Sequence, residues 1–326
     1  RTTQDHRTMR PRESSERGGI DKTAPHTARH SLLQARQEES LMLTALAFIG
    51  ASVLLGGVAS FLEHPLSEAL DAFRLGAALR IGSLILAAGA LAAARGPGMP
   101  SPKAALAGVG IGLILGGGSA FYCFALAGQS PWLVASIANG YVAVTILLGV
   151  AVLGETLTRP ATAGLALTFA GILALSWRRP DAPGGHSLLP SLAALWPLGP
   201  YILLVGIGAF LEKPALRSVT ALQLNTLTSL GMAIVAVAAV IIRDHRLPTG
   251  SVALGAGGVG MLFGLSALGY YLGLANLPVS VAATLSNTSV LVTMALAVTI
   301  RRQAITPWQV AGAAVTLAGV SLLALP

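Results

Sequence analysis

The sequence predicts an all-α integral membrane protein with ten transmembrane helices, arranged as two inverted five-helix repeats. The first observation is composition: 54% of the 326 residues are hydrophobic and 10% are charged, whereas soluble domains are roughly 25% charged. The second is a series of apolar stretches beginning at Leu41, each near the roughly 20 residues that a helix needs to cross a bilayer. The third is an internal repeat. The composition also excludes a disordered chain, which needs low hydrophobicity and high charge.

The charged residues are concentrated at the start of the chain. Residues 1–40 are polar, mix acidic with basic side chains and lack an apolar run, so we expect a disordered polar tail rather than a secretory signal peptide. The net charge of +8 includes the basic residues of this tail, where they alternate with acidic ones. The sequence therefore predicts no basic groove that could bind a nucleic acid. The one cysteine, Cys123, excludes a disulfide framework and a multi-cysteine metal site. We therefore expect no nucleic-acid partner, no metal and no cofactor.

Ten apolar stretches follow the tail, separated by short breaks that contain prolines and tryptophans. Proline costs little at a helix start, and tryptophan is enriched at membrane interfaces. Cytoplasmic loops carry more lysine and arginine than outer ones; because of the tail, this rule places the N-terminus in the cytoplasm. The predicted spans are 41–61, 70–94, 104–127, 132–153, 160–177, 196–211, 218–241, 252–275, 279–299 and 306–325.

The second half of the chain repeats the first at an offset near 148 residues. Phe61-Leu62-Glu63-His64-Pro65 returns as Phe210-Leu211-Glu212-Lys213-Pro214, and tyrosine, asparagine, threonine and glycine positions follow in one register. Because each unit has an odd number of spans, the second unit must enter the membrane upside down. Inverted repeats are typical of secondary transporters, whose substrate site lies near the bilayer midplane between the repeats.

The same features resemble a known family. Two five-span units, the run Gly154-Glu155-Thr156-Leu157-Thr158, and the glycines Gly164 and Gly171 after it look like the EamA-like branch of the drug/metabolite transporter superfamily. Gln303 departs from this pattern, because it stands where the second unit would match Glu155. The resemblance implies a first repeat over 41–178, a linker over 179–195 and a second repeat over 196–326.

The resemblance also carries expectations about activity. It implies export or exchange of small metabolites, with the third, fourth, eighth and ninth spans around a central cavity, in a bacterial inner (plasma) membrane. The expected partners are a small-molecule substrate and the lipid bilayer. A homodimer is left open, because small residues at helix spacing serve packing within one chain equally well.

Asn139 and Asn287 are the leading candidates for substrate binding. They occupy equivalent places inside the fourth and ninth spans, where an amide must find hydrogen-bond partners. The alternative is a hydrogen bond between helices, which is common for asparagine in membrane bundles. The neighbouring polar residues included in this candidate site are Ser136, Ser286, Thr145 and Thr293.

Tyr122 and Tyr270 form a second equivalent pair, near the ends of the third and eighth spans. A ring with a hydroxyl group suits recognition of an amphipathic ligand. The alternative is a pair of tyrosines in the interfacial aromatic belt.

Three charged residues are candidates for gating or pairing across the repeats. Glu63 and Glu212 fall at predicted span ends, where a carboxylate opposes the helix dipole; the alternative is a solvated charge at headgroup level. Arg80 lies in the first part of the second span. There it either snorkels to the interface or, if it lies deeper, attracts an anionic substrate.

The sequence therefore predicts a metabolite transporter, with amino acids or related small amphipathic compounds as the leading substrate class. It assigns no acid to the middle of the membrane, so a proton has no obvious carrier. Two alternatives remain: a membrane-embedded lipid-modifying enzyme and a channel. The enzyme is disfavoured because the histidines lie in the tail, in loops or at span ends, which leaves no catalytic constellation at membrane depth.

Overall fold

The structure is a computed structural model that describes residues 24–94, 98–128, 134, 137–176, 196–244, 246–302 and 306–323. It divides into two units, Arg1–Leu41 and Met42–Pro326. The described residues form helices, numbered here α1 to α10, and contain no strand. Their bounds are α1 Ala24–Ala69, α2 Ala72–Ala93, α3 Pro102–Gly128, α4 Tyr141–Leu153, α5 Arg159–Ser176, α6 Leu198–Ala215, α7 Ala221–Asp244, α8 Ser251–Leu274, α9 Val279–Thr299 and α10 Pro307–Leu323.

Each predicted span overlaps one of these helices, and the all-helical membrane class is confirmed. The bounds differ most for the first span, since α1 is longer at both ends, and for the fourth, since α4 begins at Tyr141 rather than at residue 132. Among the described residues, seven helices are long and apolar enough to cross a bilayer: α1, α2, α3, α6, α7, α8 and α9. Two apolar helices are shorter, at Tyr141–Leu153 and Arg159–Ala174, and α10 has 17 residues. Crossing of the membrane by α4, α5 and α10 stays a prediction.

The start of the chain differs from the predicted tail. The helix α1 begins at Ala24, so residues 24–40 are helical where the sequence analysis expects disorder. The segment Ser31–Ser40 consists mainly of leucine, glutamine, alanine, arginine and glutamate, which favour helix even without an apolar face. Residues 1–23 and the predicted linker 179–195 lie outside the described residues.

Glycines allow two pairs of helices to pack with their backbones in contact. In the α2–α8 pair, a Cβ atom at Gly82 would overlap the carbonyl of Gly257, and one at Gly260 would overlap the carbonyl of Leu79. In the α3–α7 pair, a Cβ atom at Gly112 or Gly231 would likewise overlap backbone atoms of the other helix. Close approach through small residues is the usual way in which helices associate in a bilayer.

The α5–α10 pair has the same kind of contact. A Cβ atom at Gly171 would overlap Thr316, and one at Gly319 would overlap Thr168. Thr168 and Thr316 are each fully buried. The repeat offset of about 148 residues relates Thr168 to Thr316 and Gly171 to Gly319. About the same offset relates the glycines of the α2–α8 contact to those of the α3–α7 contact.

Gly260→Ala should lower the free energy of unfolding by about 1–3 kcal/mol, because the new methyl group would press on the Leu79 backbone and push α2 from α8. The measurement is thermal unfolding of the purified protein in detergent. Gly258→Ala is the matched control, since nothing lies within 4 Å of a Cβ atom there and alanine favours helix over glycine. Equal melting temperatures for the two variants would contradict this packing argument.

Candidate functional site

A cavity of about 310 Å³ lies among the helices of the Met42–Pro326 unit. Its walls come from α1 to α4 and α6 to α9, and they combine apolar side chains with hydroxyl groups and two charged groups. Polar groups converging on an apolar pocket are typical of a small-molecule site. The polar lining residues are Ser52, Arg80, Tyr141, Glu212, Ser266, Tyr270, Tyr271 and Ser286.

Arg80 brings a positive charge into this cavity. It lies about 12 Å along the 22-residue helix α2 at 1.5 Å per residue, too far in to count as the end of the helix. Its guanidinium Nη2 donates only a long hydrogen bond, 3.5 Å, to Ser119 Oγ. Within the described residues it forms no ion pair. The Arg80 side chain lines the cavity, and its binding of an anionic substrate stays a prediction.

Glu212 is buried in the protein rather than solvated. Its residue is 5% exposed, it lines the cavity, and its Oε1 accepts a hydrogen bond of 2.8 Å from the Tyr271 hydroxyl. Glu212 is thus a buried acid beside the cavity, in the last turn of α6. The predicted span ended at residue 211, but α6 continues to Ala215 and includes Pro214, which places Glu212 within the helix.

Asn287 contacts the cavity indirectly, through a hydrogen bond to the lining residue Tyr141. Its Nδ2 donates to the Tyr141 hydroxyl and to the Ala283 carbonyl, both at 2.9 Å, and Tyr141 lines the cavity. Ser286 and Tyr270 line it directly. Asn139 lies in the turn before α4 and is not among the lining residues, and Ser136 lies outside the described residues.

Thr145 and Thr293 make equivalent contacts between helices. The Thr145 hydroxyl donates to the Gly206 carbonyl of α6 at 3.1 Å, and the Thr293 hydroxyl donates to the Gly57 carbonyl of α1 at 3.0 Å. Neither threonine is a lining residue of the cavity. In this structure both hydroxyl groups are used in helix packing.

Tyr122 and Glu63 also stand outside the cavity lining. The Tyr122 ring packs on Tyr201, with centroids 5.3 Å apart, beside the buried residues Ala125 and Val134. Glu63 is half-buried on α1 and forms no ion pair within the described residues. Its role in gating or in pairing across the repeats stays a prediction.

Sequence reasoning misses four polar residues of the wall: Ser52, Tyr141, Ser266 and Tyr271. Ser52 and Ser266 bring α1 and α8 together, because their hydroxyl groups are 3.2 Å apart. Tyr141 and Tyr271 lie beside residues that the sequence singles out. Predicting which side chains share a helix face assumes that each helix is unbroken. Here α4 begins only at Tyr141 and α9 is interrupted at Thr288, so side chains on either side of these points do not keep the angular spacing of one continuous helix.

Two charged residues fix the turn between α8 and α9 from opposite sides. The Lys213 ammonium donates to the carbonyls of Leu274, Ala275 and Leu277 at 2.6, 3.1 and 2.9 Å. The Glu155 carboxylate accepts from the Val279 and Ser280 amides at 2.5 and 3.2 Å and from the Ser280 hydroxyl at 2.7 Å. A cation therefore caps the end of α8 and an anion caps the start of α9, as the helix dipoles favour.

Comparison with known proteins identifies a family for one part of the chain. The sequence model of the EamA-like transporter family matches residues 199–325. This segment is an EamA-like transporter domain. It corresponds to the second predicted repeat and confirms the resemblance there, and the matched family is one of non-enzymatic transporters.

Comparison of the chain with curated proteins gives no match. A solved structure described as "Crystal structure of protein" matches with a TM-score of 0.70 and 21% sequence identity, over 88% of this chain and 98% of that chain. At this identity the likeness shows a shared fold.

Proposed function

We propose that this EamA-like transporter carries small metabolites that bear a carboxylate, namely amino acids or related amphipathic compounds, by alternating access. The direction is export across a bacterial inner membrane, with the N-terminus in the cytoplasm. Direction and membrane rest on the family resemblance and on the basic tail. The substrate class rests on the cavity.

The observation that carries the proposal is Arg80. A guanidinium group inside a membrane helix is costly unless it has a partner, and within the described residues Arg80 has no ion pair. A planar guanidinium matches a carboxylate with two parallel hydrogen bonds. The serine and tyrosine hydroxyl groups of the wall can hold the other polar parts of an amino acid, and its side chain can occupy the apolar part.

Alternating access is supported by the paired contacts between the halves. The contacts Thr145–Gly206 and Thr293–Gly57 exchange at about the offset of the repeat, as do the glycine contacts of α2–α8, α3–α7 and α5–α10. With two equivalent sets of contacts, one repeat can rock against the other in two equivalent directions, each of which opens the cavity to one side of the membrane.

The test is counterflow in vesicles that contain the purified full chain. Vesicles loaded with a mixture of unlabelled common L-amino acids should transiently accumulate labelled amino acid above its outside concentration. Amino acid methyl esters, which lack the carboxylate, should compete poorly for the outside site.

Other outcomes have defined meanings. Flux that equilibrates without an overshoot would indicate a channel. Equal competition by the methyl esters would overturn the assignment of the carboxylate. No flux with any amino acid would overturn the substrate class.

A further inference from the structure

Glu212 is a buried acid without a counter-ion. Within the described residues no lysine, arginine or histidine lies within ion-pair distance of its carboxylate, although the residue is 5% exposed. Its polar partner is the Tyr271 hydroxyl at 2.8 Å. A carboxylate in this position must bind a proton or a cation, because an isolated charge is expensive away from water.

The groups around Glu212 are neutral except for one. Tyr270 and Tyr271 of α8, Tyr141 of α4 and Arg80 of α2 line the same cavity as Glu212. The lining residues of α1, α3, α7 and α9 are serine or apolar. The ionisation of Glu212 is therefore set by what enters the cavity more than by a fixed neighbouring charge.

A chain of hydroxyl groups can satisfy both protonation states of Glu212. The Tyr271 hydroxyl lies 3.1 Å from Thr228 Oγ1, which is 2.8 Å from the Leu224 carbonyl. When Glu212 is ionised, Thr228 donates to Tyr271 and Tyr271 donates to the carboxylate. When Glu212 is protonated, it donates to Tyr271, Tyr271 donates to Thr228, and Thr228 donates to Leu224.

The two hydrogen-bond patterns distinguish Glu212 from an ordinary buried carboxyl group. Two hydroxyl rotations convert one pattern into the other, and neither pattern leaves a hydroxyl proton without an acceptor. Buried polar groups are costly when a change of state leaves one unpaired, and here the gain or loss of a proton leaves none.

We propose that Glu212 is the proton-coupling site of the transporter, and that a proton and the ammonium group of the substrate compete for it. This inference rests on the proposed function, because Arg80 would hold the carboxylate of the same amino acid. On the cytoplasmic side, arrival of the ammonium group displaces the carboxyl proton to water. On the outer side, a proton from water replaces the departing ammonium. One proton enters for each amino acid exported, and no electrons move.

The first experiment measures proton release when the common L-amino acids are added to the purified protein. The full chain is kept in weakly buffered detergent solution with a pH indicator dye, and the pH is scanned. In at least part of the range, the wild type should release up to about one proton per protein, since one carboxyl group exchanges. Glu212→Gln should release none. Glu68→Gln, which changes an exposed acid of α1 outside the cavity lining, should behave as the wild type.

The second experiment applies a pH gradient to vesicles. An acidic interior should drive labelled amino acid into the vesicles against its gradient in the wild type, because protons leave as amino acid enters, and Glu212→Gln should lose this drive. Tyr271→Phe keeps the acid but removes the hydroxyl that serves both states, so the pH midpoint of proton release should move. This variant tests the relay even if Glu212→Gln fails to fold.

The outcomes separate this inference from the proposed function. Amino acid binding without proton release at any pH would overturn the coupling role of Glu212 and leave the substrate class standing. Proton release that persists in Glu212→Gln, or an unmoved midpoint in Tyr271→Phe, would also overturn it. Absence of amino acid binding and of counterflow would instead overturn the proposed function on which it rests.

Discussion

Arg80→Gln should raise the KM for amino acid transport by about 100-fold. The guanidinium lies in the middle of α2 and lines the cavity, so its hydrogen bonds to a carboxylate would form away from bulk water. Charge-assisted hydrogen bonds contribute about 1.5–3 kcal/mol each, and about 1.4 kcal/mol corresponds to a factor of ten. The measurement is the concentration dependence of counterflow in vesicles.

Arg74→Gln is the matched control for this prediction. Arg74 lies in the same helix, near its start, and pairs with Asp71 at 3.4 Å, outside the cavity lining. Arg80→Lys should recover only part of the loss, since an ammonium group cannot present the paired donors of a guanidinium. Similar KM values for Arg80→Gln and Arg74→Gln would show that the charge at position 80 does not bind substrate.

The helices of this protein could be predicted closely from the sequence. The predicted span 252–275 corresponds to α8 at Ser251–Leu274, and 279–299 corresponds to α9 with the same bounds. The reason is physical: a membrane helix must satisfy its backbone internally and expose apolar side chains, so the length and composition of a segment almost determine it.

The cavity could be predicted only in part. Arg80, Tyr270 and Ser286 were selected from the sequence and line the cavity, because polar groups deep in apolar spans need a reason to be there. Thr145 and Thr293 satisfy the same criterion, but their hydroxyl groups bond to backbone carbonyls of neighbouring helices. A sequence does not distinguish a polar group that lines a cavity from one that packs against a glycine.

The burial of Glu212 was not predictable for a related reason. Its surroundings in sequence, Lys213 and Pro214, indicate a helix end and a solvated charge. In the structure Lys213 contacts the end of α8 and satisfies three carbonyls, whereas Glu212 lines the cavity and accepts a hydrogen bond from Tyr271. Tertiary contacts, which the sequence does not display, thus give two adjacent charges different surroundings.

Lys213→Met should lower the free energy of unfolding by about 2–3 kcal/mol, because three carbonyls at the end of α8 lose a charged donor. Helix ends leave carbonyl and amide groups unpaired, and near a bilayer little water is available to replace a lost partner. Thermal unfolding in detergent measures the loss. Arg217→Met removes the same charge from an exposed residue in the next loop and should change the stability little.

Glu155→Gln extends this prediction to the other end of the same turn. Its amide oxygen can still accept a hydrogen bond from the start of α9, but its charge no longer favours the helix dipole, so we expect a smaller loss than for Lys213→Met. Both residues hold residues 274–280, so once one is removed the turn is already loosened. The double variant should therefore lose less than the sum of the two single losses, by at least about 0.5 kcal/mol. Additive losses would mean that the two ends of the turn are held independently.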